Sequence, residues 1–235
     1  MRAKPENRIL RVLEDETRHS ILGECREVHL QATEVLSRAG EDQAIVHFPE
    51  RCVISTVASF RDGATIEVAN TGREGCTGLG PILGSAFQLN SDIVQVSGRA
   101  LVMDTEDFLR AKQRYPAFRD ALFAATRGMF QQVMVSGACN ATHPAKQRLA
   151  RWLLTMSDRA PDSVINLTQE FLAEILGVRR ATVSEASSEL RQQNLISYSR
   201  GSVTILDHSG LHDVACECYD LVADAYNRLL PIESP

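Results

Sequence analysis

Residues 168–206 leave a chain of this kind few ways to fold. Between Thr168 and Leu176, the apolar residues Phe171, Leu172, Ile175 and Leu176 recur at helical spacing behind a threonine suited to capping a helix. Gly177 falls where that helix must stop and the chain must turn, a conformation glycine adopts at least cost. A second amphipathic helix is predicted from Arg180 to Gln192, with Val183, Ala186 and Leu190 facing inward. Residues 195–206 then read as two short strands joined by a turn at 199–202. A helix pair in an ordinary bundle accounts for the stripes and the glycine. It does not account for a hairpin that follows at once.

The outward face of the second predicted helix carries Arg179, Arg180, Thr182, Ser184 and Glu185. These are donors and acceptors of the kind that reach phosphates and base edges in a major groove. The chain's net charge of −5 stands against a nucleic-acid partner. Its distribution answers part of that objection: residues 146–200 hold eight Arg and Lys against six carboxylates, a net of +2. Double-stranded DNA is the expected partner, with a modest electrostatic contribution strengthened by pairing of subunits.

The N-terminal half is broken too often to be helical. After a predicted helix at 15–25, short strands are expected at 26–30, 34–37, 44–48, 52–59, 65–70, 93–96 and 100–103. Gly, Asp and Pro turns separate them, the pattern of a sandwich or roll. Between the halves, residues 115–139 form one long helical segment. Phe118, Leu122, Ala125, Met129, Gln132 and Ser136 recur at alternating four- and three-residue steps, the spacing of a coiled-coil seam. A second stripe, Phe123, Phe130 and Val133, is expected to pack on the chain's own roll. Two apolar faces need two partners, so a homodimer is expected. Pro144 breaks the helix and makes 140–144 a hinge.

At 168–170, 176–184 and 194–201 the chain resembles the DNA-binding domain of the Crp/Fnr family of bacterial transcription regulators. The resemblance implies an α+β architecture with an N-terminal double-stranded β-helix (jelly roll) at 1–114. A dimerisation helix at 115–141 and a winged helix-turn-helix at 142–235 would follow. It also implies that Arg180, Ala181, Ser184 and Glu185 choose bases, while Thr168, Gln169, Arg179, Thr182 and Arg200 complete the contacts with DNA. Arg180 matches an arginine that reads guanine in cAMP-binding members, whereas Ala181 and Glu185 replace a glutamate and an arginine there. The operator half-site should therefore differ from theirs. RNA polymerase is a further implied partner.

In cAMP-binding members a glutamate takes the ribose and an arginine pairs with the cyclic phosphate. The corresponding segment here, 78–92, contains no Arg, Lys or Glu. A buried phosphate without a cation is costly, so cAMP is not expected and the effector is left open. The six cysteines lack the spacing of an iron–sulfur or paired-cysteine zinc motif. No cofactor or metal set is assigned. An alternative reading makes His212, Cys216 and Cys218 a redox or metal sensor, with His212 and Cys216 one turn apart on a C-terminal helix. A helix pair that binds protein instead of DNA is the other rival. An enzyme would need clustered His and carboxylates on the strands, and His29 and His47 stand isolated. With no apolar leader and no long apolar run, a cytoplasmic protein with reduced thiols is expected.

Overall fold

The computed structural model describes residues 4–61, 65–161, 165–166, 168–199 and 202–231. Helices α1 (Arg8–Arg11) and α2 (Asp15–Gly23) precede the roll. Its strands are β1 (Arg26–Leu30), β2 (Val35–Ser37), β3 (Ile45–Pro49), β4 (Val53–Ser59), β5 (Thr65–Thr71), β6 (Ser91–Val96) and β7 (Gly98–Asp104), with the short helix α3 (Leu79–Leu83) between β5 and β6. Every expected strand is present, its ends displaced by no more than two residues. The expected turn at 62–63 lies outside the described residues.

The strands form two antiparallel sheets, ordered β1-β7-β3 and β2-β6-β4-β5. Leu30, Cys52, Ile54, Val94 and Ala100 fill one part of the interior. At the other end, Phe48 on β3 meets Phe108 on α4 (Thr105–Arg114) and Phe118 on α5 (Pro116–Thr142), with ring centroids 5.8–6.3 Å apart. This aromatic cluster fastens the long helix to the roll.

That attachment reverses the expected assignment of the faces of α5. Phe118, Leu122 and Ala125 are buried in the subunit's own core. Gln132 is also buried, and Met129 and Ser136 are half-buried. The expected dimer seam therefore faces the roll and the subunit interior. The stripe expected to pack on the roll points away from it: Phe123, Phe130, Val133 and Met134 are exposed. The spacing located two apolar faces, but periodicity alone does not say which partner covers which.

The C-terminal part comprises α6 (Ala145–Arg159), β8 (Ile165–Asn166), α7 (Gln169–Leu176), α8 (Arg180–Gln192), β9 (Ile196–Ser199), β10 (Ser202–Ile205), α9 (His208–Val214) and α10 (Cys218–Leu229). Leu149, Trp152, Leu153, Leu172, Val183 and Leu190 anchor its core. α10 departs from the expected 142–235 unit. Its last turns lie along α5 and reach the N-terminal segment, where the Arg8 guanidinium donates to the carbonyls of Tyr226 (3.1 Å) and Leu230 (3.0 Å).

Candidate nucleic-acid interface, effector cavity and thiol cluster

The reading head is assembled from local rules. The Phe171 N–H donates to Thr168 Oγ1 at 3.1 Å, so Thr168 caps α7 as its position implies. Gly177 takes a left-handed φ of 59°, and the Val178 N–H closes the helix end on the Ala173 carbonyl at 3.0 Å. From α6 below, Arg148 donates to the Leu176 carbonyl at 3.0 Å, satisfying another group that α7 leaves open.

α8 buries Val183, Ala186, Ser187 and Leu190 and exposes Arg179, Arg180, Ala181, Ser184 and Glu185. Thr182 and Gln169 are half-buried, and Thr168 is exposed. These side chains thus share one solvent-facing region around the start of α8. β9 and β10 pair antiparallel from Ser199↔Ser202 to Ile196↔Ile205 and form the wing beside it. Arg200, expected in the turn of the wing, lies outside the described residues. Sequence reasoning missed Glu170. Its carboxylate holds Arg180 Nε at 3.0 Å on the surface, and an acidic residue in the first turn of the preceding helix was the available signal. An exposed pair of this kind contributes about 0–1 kcal/mol, so it opens at little cost.

How the head is held to the roll was also invisible in the sequence. Arg159, the last residue of α6, lies 2.7 Å from Glu74 in the turn after β5, and both side chains are buried. The same guanidinium donates to Asn70 Oδ1 and, at 3.0 Å, to Gln132 Oε1, while Gln132 Nε2 donates to the Asn70 carbonyl at 3.1 Å. Trp152 Nε1 donates to Glu67 Oε1 at 3.1 Å. Burial pushes the Glu67 carboxyl up from its ordinary pKa, while hydrogen bonds from Ser55, Asn70 and Trp152 oppose the shift. Gly72 is needed here for close approach, because a Cβ on it would stand 2.4 Å from the Arg159 side chain.

Within the roll, a cavity of about 290 Å³ opens between α3, the start of β6 and α5. Leu79, Leu83, Phe87 and Met129 give it apolar walls, and Thr56 and Asp92 supply polar groups. Thr56 Oγ1 donates to Asp92 Oδ1 at 2.7 Å and Ser37 Oγ to Oδ2 at 3.2 Å. Burial nonetheless raises the Asp92 pKa, because these two hydrogen bonds offset the desolvation only in part. No Arg or Lys lines the cavity among the described residues.

Five of the six cysteines fall into two groups. Cys52 and Cys76 sit separately in the roll, and burial pushes the Cys52 thiol up to about 12 and Cys76 further in the same direction. Cys216 and Cys218, by contrast, meet Cys139 and His143 from the end of α5. The expected partner, His212, does not join them. α9 ends at Val214 and Ala215 is extended, so His212 and Cys216 do not share a helix. His212 is exposed instead, with Nε2 3.0 Å from Asp220 and its ring edge-on to Tyr219.

These features define a β-roll, a long helix and a winged helix-turn-helix joined in one chain. Residues 147–214 match the Crp-like helix-turn-helix domain, and the chain has a Crp/Fnr-like fold. FixK2 from Bradyrhizobium japonicum superposes with a TM-score of 0.67 at 17% identity, covering 82% of this chain and 98% of its own. A Crp-family transcriptional regulator from Thermus thermophilus gives 0.65 at 18% identity, covering 80% and 96%. The c-di-GMP-responsive global regulator CLP from Xanthomonas campestris gives 0.64 at 13%, covering 82% and 99%. At these identities the likeness is one of fold. No curated protein matches the chain by sequence.

Arg159→Met should lower stability by about 3–5 kcal/mol, because it leaves Glu74 buried without its partner. Urea unfolding at neutral pH measures this. A loss below about 1 kcal/mol would show that the pair does not hold the junction.

Proposed function

We propose that this chain is a sequence-specific, DNA-binding transcription regulator that acts as a homodimer on an inverted-repeat operator and is not an enzyme. The observation that carries the reading is the α8 surface. Its inward side is fixed in an apolar core and its outer side presents Arg179, Arg180, Ser184 and Glu185 beside a wing. In this reading Thr168, Gln169, Arg179, Thr182 and Arg200 hold the DNA, mainly through phosphates. Arg180, Ser184 and Glu185 read bases, with the Ala181 methyl on the same face.

The dimer interface is the exposed side of α5. Phe123, Arg127, Phe130, Met134 and Gly137 fall at alternating steps of four and three residues, and the large apolar members among them are exposed, as a two-helix seam requires. Phe130 is 63% exposed, a large apolar area to leave in water. Two subunits joined there would have to set their α8 helices about 34 Å apart to reach successive major grooves.

The cavity under α3 is the effector site of this reading. Its apolar walls and the Asp92 carboxyl, which burial shifts toward the neutral form, suit a small, largely apolar ligand without phosphate. Since Met129 on α5 lines it, a ligand there bears directly on the dimer helix.

Three measurements test these claims. In a selection from random duplexes, Arg180→Ala should relax preference at one base position by about 1–3 kcal/mol. Equal weakening on all sequences would instead assign Arg180 to the backbone. Phe130→Asp should yield monomers in analytical ultracentrifugation while keeping the native circular-dichroism spectrum, and an intact dimer would place the interface elsewhere. Calorimetric titration with cAMP should show no binding at millimolar concentration, and saturable heat would reverse the reading of the cavity.

A further inference from the structure

Four metal-binding side chains converge at the far end of α5, drawn from two places in the chain. Cys139 and His143 stand one helical turn apart where α5 ends, and Cys216 and Cys218 flank Glu217 between α9 and α10. A donor atom from each lies within 4.8 Å of every other. Cys139 Sγ is 3.5 Å from Cys216 Sγ, and Cys218 Sγ is 3.6 Å from His143 Nδ1. Zinc–sulfur bonds of about 2.3 Å and zinc–nitrogen bonds of about 2.0 Å at tetrahedral angles put neighbouring donors roughly 3.5–3.8 Å apart. The two measured separations fall close to that spacing.

We propose that Cys139, His143, Cys216 and Cys218 form a zinc site with three thiolates and one imidazole. The surroundings are those such a site needs. His143 directs Nδ1 toward the thiols and places Nε2 3.3 Å from the Glu217 carboxylate. Metal-bound imidazoles hand their second N–H to a carboxylate in this way. All three cysteines are buried, so the ion would be shielded from water. Zinc with three thiolates carries a net charge of about −1. The Arg151 guanidinium acts electrostatically on Cys139 and Cys218, and its Nε is buried without a hydrogen-bond partner.

Plain packing explains this arrangement less well. Buried cysteines serve as small hydrophobes, but packing requires neither an imidazole nitrogen aimed at Cys218 nor a carboxylate behind it. A Cys139–Cys216 disulfide would use two of the four groups and leave the other two without a role. With four protein ligands the site is closed, which makes it structural and not catalytic. It would clamp the end of α5, just before Pro144, to the start of α10. The ion would thereby fix the chain on both sides of the winged helix.

The test uses the 235-residue chain purified under reducing conditions. Elemental analysis should find one zinc per chain. Replacement by Co²⁺ should give thiolate-to-cobalt charge transfer with the visible bands of a tetrahedral ion. Cys218→Ser and His143→Asn should each weaken retention at least tenfold against a chromophoric chelator, whereas His212→Ala should retain the metal fully. Because a ligand variant can fail to fold, chelator competition on the unmodified chain measures affinity independently. The proposal is overturned if the reduced chain holds neither zinc nor cobalt, or if it carries an iron chromophore. A Cys139–Cys216 disulfide in place of metal, or loss of metal in His212→Ala, would overturn it equally. None of these readouts involves DNA, so failure here leaves the DNA-binding reading standing.

Discussion

The junction around Arg159 decides where the DNA-reading surface stands relative to the rest of the molecule. One guanidinium joins three positions that are distant from it in sequence: Glu74 after β5, Gln132 on α5, and Asn70 at the end of β5. It is rooted at the C-terminus of α6, the helix on which α8 and α9 pack. Orientation of the head is thus set by directional charge and hydrogen bonds, with apolar packing filling in around them. A buried ion pair adds little net stability relative to an apolar substitute, because desolvation consumes most of the attraction. Such a pair does impose geometry, because a misplaced guanidinium strands several buried acceptors at once.

This explains why part of the molecule was legible in sequence and part was not. Strands β1 to β7, the cap at Thr168, the turn at Gly177 and the inward face of α8 depend on neighbours a few residues away, and pattern and propensity record those. The junction depends on residues up to 89 positions apart, as with Arg159 and Asn70, and no local pattern encodes such a pairing. α5 lies between these cases. Both of its apolar faces were visible, yet their assignment was exchanged. Phe118 and Leu122 are inside because Phe48 and Phe108 meet them there, and Phe130 is outside because nothing described of its own subunit covers it.

The thiol cluster was half legible for a related reason. Cys216 and Cys218 were visible as a pair, and His212 was attached to them on the assumption of a continuous helix. The chain becomes extended at Ala215, which breaks that spacing. Cys139 and His143, also four apart, meet at the end of one helix. They belong with a pair about 75 residues downstream, and only the return of α10 along α5 brings the two pairs together.

The molecule separates strong contacts from exchangeable ones according to task. Arg159 and Arg180 each hold a glutamate, at 2.7 and 3.0 Å, so geometry alone barely distinguishes them. Burial does. Water and salt screen the exposed Arg180–Glu170 pair, so it opens at a cost within about 1 kcal/mol. The buried Arg159–Glu74 pair cannot exchange without leaving charge in the interior, which costs several kcal/mol. Under the proposed function, motion that alters the spacing of two reading heads would therefore arise between subunits at the exposed face of α5, leaving the Arg159 junction intact. Met129 of α5 lines the cavity under α3, so under the proposed function a small ligand there would bear on α5 without breaking the pair that frames the head.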